Sequence, residues 1–352
     1  FKDLACPVEI KSVKASSGQF TLFNKQFFSD ISDFEIIWTI SRDGIHTDTG
    51  KVKVANVAAR KSAKFTVKST HLAKADGKGE RFITFTIVKK SSTAWAPASQ
   101  EIGWYQFALP SRSTTIAAVK TSALFESSVN DAGAIVMPFA EISPQLTLWR
   151  APTDNDRIGH IATKWERYGV RELDRTDCTI TESAKQRKIV SEWTTSTGLV
   201  VKQTQVVTPV AEGFQVKESI VIPKQMEDLA RVGINFELSG ALSGFTYFGT
   251  GAHESYPDRK IGRVHRFAST VAEQYVPYVR PQENGGHAGV RWFELTGNDG
   301  HGVRIDLDKP RQVSVTPNRA TDLADSTHNV EVQSSGNAVV HIDAAHRGAV
   351  SY

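Results

Sequence analysis

Apolar residues recur at every second position through most of the chain, the pattern of half-buried β-strands. In the run Phe34 to Ile40, the residues Phe34, Ile36, Trp38 and Ile40 share one face. Asp43-Gly44 follows at once with hairpin chemistry, because glycine tolerates positive φ. Between Arg81 and Val88, Ile83, Phe85 and Ile87 point one way and Thr84 and Thr86 the other. Phe20 to Phe23, Lys64 to Lys68 and Glu101 to Leu109 read the same way. About seven short strands in about 110 residues is the count expected of an immunoglobulin-like sandwich.

The polar stretch Pro110 to Thr115 marks a boundary, dividing the chain into residues 1–110 and 111–352. Alternation continues beyond it at Leu199 to Val207, Phe214 to Ile222, Arg231 to Leu238, Val290 to Leu295, Val303 to Leu307 and Ala338 to Ile342. Helical periodicity shows only around Ala162 to Tyr168, with Gly169 as its stop. Strands and helices do not alternate, which excludes a TIM barrel and a Rossmann unit. The fold class is therefore all-β, an immunoglobulin-like sandwich followed by a larger β-sandwich.

Composition narrows the class further. Of the 352 residues, 40% are hydrophobic and 23% charged, as in a folded globular protein. No apolar stretch approaches the roughly 18–20 residues of a membrane helix, so no membrane partner is expected. Residues 1–110 hold 16 Lys and Arg against 10 Asp and Glu, and the remainder 26 against 28. The early lysines (among them Lys51, Lys53, Lys61, Lys64, Lys68, Lys74, Lys78, Lys89 and Lys90) are scattered along strand-like segments. That distribution reads as a solvated face, not a nucleic-acid footprint. Cys6 and Cys178 are too few for a disulfide framework or a thiolate zinc site. No signal peptide is visible at Phe1, and the start without methionine and the stop on a strand pattern are expected of a segment of something longer.

Three polar stretches hold the candidate chemistry. Asp154, Asn155 and Asp156 could offer oxygens to calcium, but EF-hand spacing is missing, so turn capping is the favoured reading. Gly249 to Arg259 packs His253, Glu254, Tyr256, Asp258 and Arg259 together. Extended-chain alternation would set His253 and Ser255 against Glu254 and Tyr256. This loop reads equally as a carbohydrate rim or as a buried Asp258–Arg259 ion pair pinning a long loop. In Tyr275 to His287, Glu283 and Asn284 either accept sugar hydroxyls or hold the turn, the latter slightly favoured. His341 and His346, five apart on a strand, should point to opposite faces. Most of the seven tryptophans read as core or interface anchors.

Leu148 to Asp156 (with Trp149, Arg150, Asp154, Asn155 and Asp156), Glu254 to Arg259 and Tyr278 to Gly285 together resemble the small-chain domain of large bacterial β-galactosidases of glycoside hydrolase family 2. Phe20 to Phe28, the Trp38 strand, Thr93 to Trp95 and Ile102 to Gln106 resemble the immunoglobulin-like domain that precedes it. The resemblance implies a galactose-mutarotase-like supersandwich at 111–352, its last strand truncated. It implies a parent enzyme that cleaves terminal β-galactosides such as lactose with retention. Both catalytic carboxylates, and the magnesium and sodium sites, belong in that family to a barrel outside this sequence. No catalytic residue, metal ligand or cofactor is therefore carried over to this chain. Expected partners are that barrel, the β-galactoside substrate and further copies of the intact chain. A cytoplasmic location is expected, with export left open.

Glu254, Tyr256, Asp258, Arg259, Glu283 and Asn284 are the expected rim or barrel-interface residues. Arg150, Asp154 and Asn155 are expected to be structural. Two departures stand out. Gly251-Ala252-His253 replaces the Gly-Pro common before the second motif. The position of a substrate-platform residue beyond His346-Arg347-Gly348 is not reached. The competing reading is a free-standing aldose epimerase or galactose-binding module, with His287 or His301 and Glu283 or Glu294 as its acid and base.

Overall fold

The computed structural model describes residues 2–73, 79–112 and 123–349. It is all-β and divides into two compact units, residues 1–115 and 116–352. Among its described residues, the first unit has a single turn, α1 (Lys2–Ala5), and seven strands: β1 (Val8–Lys14), β2 (Gln19–Asn24), β3 (Phe34–Arg42), β4 (Ile45–Lys51), β5 (Ser62–Thr66), β6 (Gly79–Lys89) and β7 (Glu101–Arg112). They form a three-stranded sheet, β1-β2-β5, and a four-stranded sheet, β4-β3-β6-β7. Ile36, Trp38 and Ile40 are buried against Phe20, Phe65, Ile83, Phe85 and Ile87, so the alternation read from the sequence is the core-facing phase of these strands. Asp43 and Gly44 take φ of 47° and 79°, closing the hairpin between β3 and β4.

Lys51, Lys53, Lys61, Lys64, Lys68 and Lys90 are exposed, but Lys89 is not. Its ammonium lies 3.5 Å from Asp33 and over the Phe34 ring, a buried cation where a solvated one was expected. Lys74 and Lys78 lie outside the described residues. Trp95 stands 69% exposed while Trp38, Trp149, Trp165, Trp193 and Trp292 are buried, in keeping with most tryptophans being core anchors.

In the second unit a short α2 (Ala123–Glu126) precedes β8 (Ala140–Thr147), α3 (Asp154–Ile158) and α4 (Ile161–Tyr168). Then come β9 (Leu173–Ser183), β10 (Gln186–Thr195), β11 (Val200–Val210), β12 (Gly213–Val221), β13 (Arg231–Leu238), β14 (Gly244–Gly251), β15 (Arg263–Thr270), β16 (Gly286–Thr296) and β17 (Gly302–Thr316). The helix α5 (Ala320–Asp325) and β18 (Ala338–His346) complete it. β9 to β12 make a four-stranded meander, and the other strands a seven-stranded sheet of order β15-β14-β16-β17-β18-β13-β8. The larger sheet draws a core from five of its own strands, with Phe236, Tyr247, Phe293, Val313 and Val340 at its centre. A second core joins Trp165 of α4 to Trp149, Trp193 and Val201. Gly169 ends α4 at φ 65°, where a Cβ would stand 2.4 Å from the Ser196 hydroxyl. Among the described residues, no helix is long and apolar enough to cross a membrane.

Candidate functional site

The three polar stretches singled out in the sequence meet in the second unit, and the segment from Asp343 to Ala349 joins them. Arg150 is fully buried and donates from Nε and Nη2 to the two carboxylate oxygens of Asp156, at 3.1 and 2.8 Å. Its remaining reach goes to the carbonyls of Arg347 and Gly348, at 2.9 and 2.8 Å. Asp156 also completes a capping box at the start of α3, accepting from the Thr153 amide at 2.8 Å while its own amide donates to the Thr153 hydroxyl. Capping and ion pairing thus account for Asp156. Asn155 donates to the Ala349 carbonyl at 3.3 Å, and the Asp154 amide to Gln282 at 2.8 Å.

Glu254 to Arg259 is a turn and not an extended segment. Ser255 and Tyr256, which alternation placed on opposite sides, are both buried, and His253 is exposed. The turn is held from outside itself. The Ser255 amide donates to the Gly286 carbonyl at 2.7 Å, its hydroxyl accepts from the Ala288 amide at 2.8 Å, and Gln312 donates to its carbonyl at 2.9 Å. The ion pair of this loop is Arg259 with Glu254, not a buried pair with Asp258. Asp258 is exposed and accepts from the Ala349 amide at 3.1 Å. The Glu254 carboxylate takes three donors: the Arg259 guanidinium, the Tyr278 hydroxyl and the Gly285 amide. Gly285 has φ +68°, and a Cβ there would stand 2.5 Å from the Gln274 carbonyl, so the turn that delivers this amide requires glycine.

Glu283 is buried and bonds to Arg231, itself 1% exposed at the start of β13. Asp343 lies 3.5 Å from Arg231 Nε, and His346 Nε2 lies 3.2 Å from Arg231 Nη2 and 3.8 Å from Glu283. Tyr256 packs its ring on His346, with centroids 5.6 Å apart. Asn284 holds its turn, accepting from the Val276 amide at 3.1 Å and donating to the Gln282 carbonyl at 2.8 Å.

Each charge in this knot is set by its neighbours. Burial opposes ionisation of Glu283, but Arg231, His346 and His341 hold it well below the usual carboxylate range. Burial pushes Asp343 up, and burial together with the Glu283 and Glu254 charges raises Tyr256. His341 is lowered to about 3 by burial and by the Arg231 charge. His341 and His346 do not diverge as strand alternation requires. Consecutive residues Val232 and Gly233 pair with Ala345 and Asp343, leaving Ala344 as a bulge. The extra residue resets the phase, so His341, Asp343 and His346 all turn towards Arg231 and Glu283.

The acid and base of the epimerase reading are each engaged apart. His287 Nε2 meets Gln274 at 2.7 Å, His301 meets Asp299 at 3.2 Å in solvent, and Glu294 accepts from Arg304 at 2.7 Å. Among the described residues, no group of three or more His, Cys, Asp or Glu is gathered as metal ligands. Asp156, Glu254 and Glu283 are consumed by internal cations and amides, which suits a rigid frame better than a site of proton transfer, whereas both oxygens of the buried Asp343 have no hydrogen-bond partner among the described residues. Sequence reasoning missed Arg231 and Asp343. In the sequence Arg231 falls in the polar phase of its strand, with Gly233, Asn235 and Glu237 alternating against Val232, Ile234, Phe236 and Leu238, so alternation gave no sign of its burial.

Comparison with known proteins follows the same division. The family described as "Beta galactosidase small chain" matches residues 111–350, and "Beta-galactosidase, domain 4" matches residues 20–110. A protein called β-galactosidase from Arthrobacter sp. (strain B7) is 26% identical over 99% of this chain. Another of that name from Priestia megaterium is 22% identical over 96%. The chain spans 38% and 35% of the length of those two relatives.

Proposed function

Because the chain belongs to the β-galactosidase small-chain family, we propose that it is the C-terminal, non-catalytic portion of a retaining β-galactosidase acting on terminal β-D-galactosides such as lactose. Its work is mechanical. It presents a fixed surface to the catalytic barrel, lends residues to the rim of the sugar site and supplies contacts between subunits of the intact enzyme. Magnesium and sodium belong to the barrel in this reading. The observation that carries it is the succession of the two family matches, together with a chain only about a third as long as its relatives.

The chemistry of the knot supports the same division of labour. Retaining hydrolysis needs two carboxyl groups about 5–5.5 Å apart, one free to attack the anomeric carbon and one to exchange a proton with the leaving oxygen. Glu283 is locked to Arg231, and Glu254 is committed to three donors. Neither is available as a nucleophile. What these bonds do instead is fix the loops 254–259 and 278–285 against Arg150 and the 343–349 segment, at a position suited to back a neighbouring domain.

The test is immunoprecipitation from the source cells with an antibody against this chain, followed by assay with nitrophenyl β-galactoside. A precipitated polypeptide well above 38.7 kDa that hydrolyses the substrate, beside an inactive purified 352-residue chain, is the expected result. Turnover by the purified chain, or a precipitated band of its own size with no activity, would overturn the reading.

A further inference from the structure

Away from the knot, the second unit holds a cavity of about 210 Å³ walled by Trp149, Trp165, Arg157, Arg171, Arg280 and Glu166. Three guanidinium groups face it against one carboxylate, and the three are not equally satisfied. Arg171 is neutralised by Asp325, donating to its oxygens at 2.7 and 2.6 Å, and lies over the Trp149 ring at 5.2 Å. Arg157 has only a long contact to Asp154, at 3.4 Å, and the Asp154 side chain is itself 57% exposed. Asp156, the other carboxylate near Arg157, is committed to Arg150 and to its helix cap. Arg280 is exposed and has no ion pair among the described residues. Burial and the Arg280 charge both hold Arg157 below the usual arginine range.

Arg157 and Arg280 thus share a cavity that has a wall of buried indole and one lining carboxylate, Glu166, and among the described residues neither has an ion pair closer than the 3.4 Å contact of Arg157 with Asp154. Guanidinium forks offer paired N–H groups at the spacing of carboxylate and phosphate oxygens. We propose that this cavity is a binding site for a small oxyanion, a carboxylate or phosphate group gripped between Arg157 and Arg280 with Trp149 as its apolar wall. The site lies outside the galactoside reading, since a neutral sugar leaves the charge imbalance in place. At about 210 Å³ the cavity is smaller than the roughly 300–1,000 Å³ of sites for drug-sized ligands, so the ligand is small.

The full chain would be titrated with inorganic phosphate, and separately with acetate, in low-salt buffer with ionic strength held by chloride. Tryptophan fluorescence and the arginine Nε–H resonances are the readouts. The expected result is saturable binding that moves the Arg157 and Arg280 signals and raises the thermal midpoint. In Arg280→Ala, affinity should fall about tenfold or more, the loss of one charge-assisted contact, and the anion-dependent rise in midpoint should vanish. Arg280 is exposed, so this variant keeps the fold. Lys260→Ala, away from the cavity, should bind as the parent does. Phosphate binding without acetate binding narrows the site to phosphoryl groups, and the reverse narrows it to carboxylates; either supports it. No saturable change up to tens of millimolar, an equal response to chloride alone, or undiminished binding by Arg280→Ala would overturn the proposal.

Discussion

Removing the charge of Glu283 would leave Arg231 buried beside Asp343 and two histidines. A charge stranded in this way is far more costly than the pair itself is stabilising. Glu283→Gln should therefore lower unfolding stability by about 3–5 kcal/mol, read as a fall in the urea midpoint of the second unit. A loss within the ±0.5 kcal/mol typical of neutral surface changes would show that water or Asp343 already compensates Arg231. The same residues mark where sequence reading reached its limit. Glu283 stood out because it sits among prolines, asparagine and glycine in a loop. Its partner did not, because Arg231 opens a strand of alternating polar and apolar residues 52 positions earlier and only tertiary packing brings the two together.

At the scale of single elements, regular apolar alternation made β3, β6 and β11 legible, and β12 too although it buries little, whereas β10 and β14 went unread although each buries several residues. β3 and β6 show the apolar alternation on which strand reading depends, because their inner residues fill a core. β4 and β9 are largely exposed along their length, so their polar sequences carry no such signal. Alternation also fails wherever a bulge resets it, and β18 is the telling case. Inserting one residue between Ala345 and His346 would shift the phase by one and swing His346 away from Arg231. Because that removes a buried partner of Arg231 while Glu283 stays, the insertion should cost about 1–3 kcal/mol, measured by chemical denaturation. Ala344→Ser is the control: the residue is exposed, and this variant should match the parent within about 0.5 kcal/mol.

For the whole molecule, two units with separate cores should unfold as two transitions rather than one. Acid should act on the second of them through its histidines. His287 and His341 are lowered to about 4 and about 3, so between these values and the ordinary value near 6.5 the unfolded chain binds protons that the fold refuses. Their contribution is complete above about pH 6.5 and is lost as the pH falls. Glu283, held low, loses its contribution at still lower pH, whereas Asp343, held high, works in the opposite sense. The decisive comparison is therefore between variants. From pH 6.5 to 5, the second transition should fall further in the parent than in His341→Gln, with hydrogen exchange assigning each transition to its unit. Equal shifts would remove His341 from the account.

Among the described strands β18 comes last in sequence, yet it sits between β17 and β13 in the seven-stranded sheet. On the ribosome, the two flanking parts of the sheet must wait with open edges until this strand emerges. Those edges present unpaired backbone groups to any neighbouring chain. Arg231, already synthesised, waits with them in water until the docking of β18 delivers Asp343 and His346. The nascent protein therefore cannot seal its charged interior piecemeal, and its exposure to misassembly is set by the speed of translation between residues 238 and 346.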